Sequence, residues 1–186
     1  HIAALAVVEA VRGMHGYEDI NMQIKWPNDI YSGKETKIGG ILVNSAIQGN
    51  SLCAIIGIGV NLDNSEPTTC INDMIECNNI NMTSKLILKK LSKEHLLARI
   101  LNEMEDLVNN FQEFGPKSFL EKYYVRWLHS ETSVNLGDEN GETVIIKGLD
   151  DMGFLSVINN LDEVKSLQPD GNSFDMMRNL ITIKRR

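Results

Sequence analysis

The chain has 186 residues, with 18 Lys and Arg against 25 Asp and Glu, a formal charge of −7, 42% hydrophobic residues, 14 Gly and only 4 Pro. Those proportions exclude collagen-like, disordered and disulfide-scaffold classes and leave a globular chain with room for one sizeable core, or a domain plus a small module. The acidic balance speaks against a DNA or RNA footprint, and the longest run of apolar residues and glycine, Leu52 to Val60, has nine residues, half of what a membrane span needs.

The first stretch, His1 to Met14, sets Ala3, Ala4, Val7, Ala10, Val11 and Met14 at helical intervals with Glu9 and Arg12 on a more polar side, which predicts a buried helix. It opens on His1 rather than Met, so part of the protein is expected upstream. Short β-rich runs follow at Ile24 to Trp26, Lys37 to Ala46 and Leu52 to Asn61, divided by the turn signals Tyr31-Ser32-Gly33 and Gln48-Gly49-Asn50. The last two runs read as a hairpin.

Residues 62 to 91 are polar, with one short helix expected at Ile71 to Cys77, and read as a long surface excursion. Ser92 then caps a helix in which Leu96, Leu97, Ile100, Leu101, Met104, Leu107, Val108 and Phe111 recur at three- and four-residue intervals, stopped by Gly115-Pro116. A second helix runs from Lys117 to Leu128. Past His129, short runs around Val134, Val144, Phe154 and Val164 alternate with turns, which predicts a small antiparallel, barrel-like module from residue 130 onward. Eight acidic residues face two basic ones between Glu131 and Lys165, so that module is a poor nucleic-acid binder. Asp170-Gly171-Asn172-Ser173 reads as a turn and Lys184-Arg185-Arg186 as a solvated tail.

Three places carry candidate chemistry. Lys25-Trp26-Pro27-Asn28-Asp29 brings a strand to a proline, where the chain must leave the ladder, and offers charge, hydrogen bonding and an aromatic wall in Trp26; the same residues would also serve as a plain turn. Lys37-Ile38-Gly39-Gly40 pairs a cation with two glycines, a signal for a bulge, a hairpin or close approach of a ligand. Gly57-Ile58-Gly59-Val60-Asn61 lacks the third glycine of a dinucleotide fingerprint, since position 62 is Leu62; it leaves room for a flat ligand, with Asn61 able to read an adenine edge. No spacing of His15, His95 or His129 with Cys or carboxylates makes a metal site. Cys53, Cys70 and Cys77 are odd in number and none lies in a C-x-x-C pair, which points to a reducing compartment, with Cys53 packed inertly in its strand.

In order, KWPNDI at 25–30, KIGGILV at 37–43 and GIGVNL at 57–62 resemble the catalytic domain of biotin protein ligases, and the closing PDGNSFDMMRNLI at 169–181 is similar to animal members of that family. The resemblance implies an α+β fold of the class II synthetase type, a mixed sheet flanked by helices over 1–129 and an SH3-like β-barrel over 130–186. It implies a ligase that joins biotin and Mg-ATP into biotinyl-5′-AMP and then modifies a lysine of biotin carboxyl carrier domains of carboxylases. It places Lys37, Asp29 and Lys25 in the catalytic role and Lys37, Gly39, Gly40, Asn28, Gly57, Gly59, Asn61 and Trp26 around biotin and the adenylate, with no protein-held metal. The family's arginine-containing glycine-rich loop would lie upstream of His1, so this stretch alone is expected to be weakly active or inactive. No DNA, RNA or membrane partner is implied; the expected location is cytoplasmic, with a mitochondrial share left open. A lipoate or octanoyl ligase and a non-catalytic interaction module stand as the alternatives.

Overall fold

The computed structural model describes residues 1–81, 87–169, 172–176 and 178–183. They form two compact units, His1–Arg126 and Trp127–Arg186.

The first unit is organised around α1, Ile2–Arg12, whose residues Ala3 to Val8, Ala10 and Val11 are all buried. A helix apolar on every side must be covered on every side. Its alanines let neighbours approach closely, and the sheet and two later helices supply the cover. The sheet is a meander of four strands, β1 (Met22–Lys25), β2 (Asp29–Ser32), β3 (Thr36–Gln48) and β4 (Ser51–Val60), in that spatial order with every pairing antiparallel. The few polar groups of α1 are tied down as well. Glu9 meets Arg126 at 2.6 Å with both side chains largely buried, and Arg99 Nε donates to the Ala10 carbonyl at 2.6 Å.

Strand β2 corrects the expected turn at Tyr31-Ser32-Gly33: the turn falls two residues later, over 33–35 with Gly33 at φ +59°, and Tyr31 and Ser32 remain in the ladder. With Ile30 the one aliphatic residue in four, this strand carries almost no apolar signature; its pairing to β1 and β3 holds it.

The polar stretch after β4 is also more anchored than expected. Helix α2 runs over Ile71–Asn81 rather than ending at Cys77, and Leu62, Cys70, Ile71, Ile75, Leu88 and Leu91 are buried. Two asparagines on one face of α2 do the anchoring. Asn72 accepts from the Leu91 N–H at 2.9 Å and donates to its carbonyl at 3.1 Å, while Asn79 does the same with Leu88 at 2.8 and 2.9 Å. Helix α3, Lys93–Phe114, follows as predicted, with Ser92 accepting from the His95 N–H and Gly115 at φ +75° ending it. Of its stripe, Leu96, Ile100 and Leu107 are buried whereas Leu97 and Leu101 face outward. Helix α4, Lys117–Arg126, places Phe119 and Tyr123 in the core, where burial pushes the Tyr123 hydroxyl pKa upward.

The second unit is a six-stranded sheet ordered β8-β7-β6-β5-β10-β9, from β5 (Ser133–Leu136), β6 (Glu142–Leu149), β7 (Leu155–Asn159), β8 (Val164–Leu167), β9 (Asn172–Asp175) and β10 (Leu180–Ile183). Alternate residues face inward, among them Val134, Val144, Ile146, Leu155, Val157 and Ile181. The module is not wholly antiparallel, because β10 returns alongside β5 in parallel. Asn172 and Ser173, expected in a turn, belong to strand β9, whereas Asp170, Gly171 and the tail Lys184-Arg185-Arg186 lie outside the described residues.

Candidate functional site

The site is set by one irregularity in the sheet. Between β2 and β3, Ile30 pairs with Gly39 but Tyr31 pairs with Lys37, so Ile38 is an extra residue, a β-bulge. Strict alternation would send Lys37 and Gly40 to opposite faces. The bulge turns both to the same face as Asp29, whose partner across the ladder is Gly40. Gly39 is required at the bulge itself, because a Cβ there would lie 2.7 Å from the Gly59 carbonyl oxygen.

On that face Lys37 Nζ sits 2.6 Å from Asp29 Oδ1, with Lys37 half-exposed at 53% and Asp29 at 21%. A Cβ at Gly40 would stand 3.3 Å from Asp29 Oδ1 and 3.5 Å from Lys37 Nζ, so the pair closes over a position that needs no side chain. Gly59 lies opposite Gly40, and Gly57 opposite Leu42, so two further bare positions continue the same surface. Together Asn28, Asp29, Lys37, Gly40, Ile41, Leu42, Gly57, Ile58 and Gly59 line a cleft of about 500 Å³. A Cβ at Gly59 would meet nothing within 4 Å. Nothing in the protein's own packing asks for glycine there, and the space it leaves belongs to the cleft.

Asn28 enters the cleft already engaged. Its side-chain amide nitrogen donates to the Ile41 carbonyl at 2.5 Å and its backbone carbonyl accepts from the Ile41 N–H at 2.8 Å, which fixes the β1–β2 turn, with its cis Trp26–Pro27 bond, onto β3. Its donor end is therefore used on the protein.

Three expected site residues stand elsewhere. Trp26 is 0% exposed, so it belongs to the core and cannot be the wall of a cleft; the burial alternation of β1, with Met22 and Ile24, carries its side chain inward. Asn61, one residue beyond β4, donates to Thr68 Oγ1 and the Thr69 carbonyl, both at 3.3 Å, and accepts from Asn64 at 3.1 Å. Both ends of its amide hold the 64–69 loop, and it does not line the cleft. Lys25 shares the polar face but turns to Tyr31, its Nζ 3.4 Å from the hydroxyl. Cys53 is also not packed as expected: it is half-exposed within 4 Å of Gln48 Oε1, because the far half of the β3–β4 hairpin stands open on both faces.

Tyr31 and Leu42 share this face of the sheet, though nothing in their local sequence marks them for it. Tyr31 is the cross-strand neighbour of Lys37, a placement legible only once the bulge is known. Among the described residues no group of three or more His, Cys, Asp or Glu is placed to hold a metal ion, and no helix is long and apolar enough to cross a membrane.

Residues 1–61, which contain the whole cleft, match the sequence profile described as the biotin/lipoate A/B protein ligase family. Over the entire chain the sequence is 50% identical to a human protein named biotin–protein ligase, of which it spans 25%, and over 99% of the chain it is 41% identical to the fission yeast protein of the same name, of which it spans 32%. The chain thus covers between a quarter and a third of those relatives. The solved apo structure of biotin protein ligase from Aquifex aeolicus shares the fold, with a TM-score of 0.64 at 23% identity over 89% of this chain and 69% of that one. The same bacterial protein has been solved in complex with biotin and ATP, with a TM-score of 0.58 at 22% identity over 88% of this chain and 67% of that one. With its α+β architecture and its identity to the human and fission yeast proteins along nearly all of its own length, this chain is similar to proteins named biotin–protein ligase, and its first 61 residues match the biotin/lipoate A/B protein ligase family.

Proposed function

We propose that the protein to which this chain belongs is an ATP-dependent, AMP-forming biotin ligase. The single observation that carries the reading is the Lys37–Asp29 pair poised over Gly40, with the bare positions Gly57 and Gly59 beside it, in a cleft large enough for a small flat ligand.

In the first step the carboxylate oxygen of biotin attacks the α-phosphorus of ATP, a P–O bond forms, and pyrophosphate leaves. Two anions must approach. Lys37, a half-exposed ammonium with three donors, screens that repulsion and stabilises the charge that develops on the phosphoryl oxygens. Gly40, Gly57 and Gly59 let the ligand lie against backbone. In the second step the amine of an acceptor lysine attacks the anhydride carbonyl, AMP leaves, and an amide remains. An acceptor lysine with a reference pKa of about 10.4 is almost wholly charged at pH 7, so it needs a partner that orients it and manages its proton. Asp29, the carboxylate that lines the cleft beside Lys37, is the residue we assign to that role. Magnesium would arrive on the nucleotide's phosphates, where it would screen their charge.

The acceptors are carrier domains of biotin-dependent carboxylases, a cytoplasmic setting with a mitochondrial share being consistent with the three unpaired thiols. The unit from Trp127 onward is proposed as the family's SH3-like barrel, with the domain boundary near 129.

The test is ATP-dependent pyrophosphate exchange and carrier-domain biotinylation in the full-length protein. Lys37→Ala lowers adenylate formation by more than about tenfold, and Asp29→Asn impairs transfer more than adenylation. Absence of biotin-dependent exchange in the wild type would sink the ligase reading, and equal losses in both steps for Asp29→Asn would remove Asp29 from the acceptor lysine.

A further inference from the structure

The polar face of the sheet carries two ammonium groups and one carboxylate, and their pairing is not the one the ladder suggests. Lys25 lies directly across the ladder from Asp29, while Lys37 lies across from Tyr31. Directly opposed side chains start about 4.5–5.5 Å apart at Cβ, well within the reach of a lysine. Yet Asp29 takes the diagonal partner, Lys37, at 2.6 Å, and Lys25 takes the diagonal phenol, Tyr31.

The two diagonals differ in strength. Lys37 to Asp29 is a short contact between opposite charges. Lys25 to Tyr31 is a 3.4 Å contact to a neutral hydroxyl, with the ammonium 5.3 Å from the ring centroid. The first is of the strong, charge-assisted kind and the second lies at the long limit of a hydrogen bond. Lys25 is therefore held in place loosely, beside a carboxylate that already has a cation.

A ligand carboxylate or phosphate that engages Lys37 draws that cation away and leaves Asp29 facing a second negative charge. Such a repulsion is stronger near a protein surface than in bulk water, because the effective dielectric there is lower. We propose that Lys25 is the reserve counter-ion of Asp29: when an anionic ligand takes Lys37, the Lys25 ammonium leaves Tyr31 and neutralises Asp29 from across the β1–β2 ladder. Lys25 is then a positioning residue that acts through Asp29 and never touches the ligand. Tyr31 is its resting place within the regular β1–β2 ladder, and the β2–β3 bulge is what sets the Lys37–Asp29 diagonal.

The inference rests on the ligase reading only for the identity of the anion, and its first test needs no ligand. In a crystal structure of full-length Lys37→Met, which removes the competing cation, Lys25 Nζ is expected within about 3 Å of an Asp29 oxygen. Lys25 remaining on Tyr31 would overturn the proposal. The second test is calorimetric titration of the full-length protein with a non-hydrolysable biotinyl-adenylate analogue. Lys25→Met should weaken binding about tenfold beside Asp29, and less than about twofold in an Asp29→Asn background, where no carboxylate needs a counter-ion. Equal losses in both backgrounds would mean that Lys25 contacts the ligand itself, and would sink the idea. Wild-type protein that fails to bind the analogue would overturn the ligase reading instead, while the Lys37→Met structure would still decide the fate of the counter-ion.

Discussion

At the scale of single residues, glycines that look alike in the sequence have opposite reasons to be there. Gly39 answers to the protein: its Cβ would press against the Gly59 carbonyl on the neighbouring strand, a contact that only backbone movement can relieve. Gly39→Ala should therefore cost about 1–3 kcal/mol in chemical denaturation of the full-length protein. Gly59 answers to the cleft, since its Cβ would meet nothing. Gly59→Ala should leave stability within about 0.5 kcal/mol of wild type yet weaken an adenylate analogue by about tenfold, because the added methyl occupies ligand space. Equal stability losses for the two would mean that Gly59 too is packed against its own fold. The same contrast separates the two asparagines assigned to nucleotide contacts. Asn28 and Asn61 share a side chain and a chemistry, but one lines the cleft and the other is consumed by its own loop.

At the scale of elements, α2 shows how a polar sequence can be structural. Its residues are rich in asparagine, which favours turns because the short amide competes for backbone groups. Here that competition is put to use: Asn72 serves the Leu91 N–H and carbonyl at once and also donates to Asp63 at 3.1 Å, while being 2% exposed. Removing a buried amide that satisfies two backbone groups leaves both unpaired. Asn72→Ala is expected to lose about 2–4 kcal/mol, with amide exchange rising at Leu88 and Leu91 rather than in α1; an unchanged exchange rate there would show that Asn72 is not the anchor. Helix α3 is the converse, an element whose sequence spoke clearly. Its apolar intervals, its serine cap and its terminal glycine all appear where expected, because each of those signals is local. The open face of the stripe, at Leu97 and Leu101, was not legible: periodicity marks an apolar face but not whether anything covers it.

At the scale of the whole molecule, acid should act through a small set of tethered carboxylates. The hydrogen bond from Lys165, with help from Asn159, holds the Glu142 carboxyl below its ordinary value of 4.5. Burial raises the Asp150 pKa, but hydrogen bonds from Ser166 and the N–H groups of Phe154, Met152 and Gly153 together carry it below its ordinary 3.8. A carboxylate whose pKa is depressed by folding contributes stability above its unfolded pKa, and that contribution disappears as pH falls through the folded value. For Glu142 it is complete above 4.5 and declines as pH falls from there through the lower value that the folded protein imposes. Melting temperature followed from about pH 6 to pH 3 should fall for the wild type and fall less steeply for Glu142→Gln, which has no carboxylate to protonate. Parallel curves would show that the Lys165 contact contributes nothing across this range.

What local chemistry can dictate is written in short stretches of the chain. The buried helix at the start, the long hairpin of β3 and β4, the capped α3, the change of texture after α4 and the three motifs that carry the family resemblance all lie within short windows, where periodicity, capping and turn residues act on their neighbours. The rest came from contacts between distant parts of the chain. They made Asp29–Ser32 a strand by pairing it on both sides, and sent Trp26 into the core. They inserted Ile38 as a bulge and so brought Lys37, Asp29 and Gly40 to one face. They also returned β10 in parallel beside β5. Each of those outcomes depends on a partner distant in the chain. A hydrogen-bond ladder can hold a weak strand and reverse the direction in which a side chain points, and no window of sequence contains both of its sides.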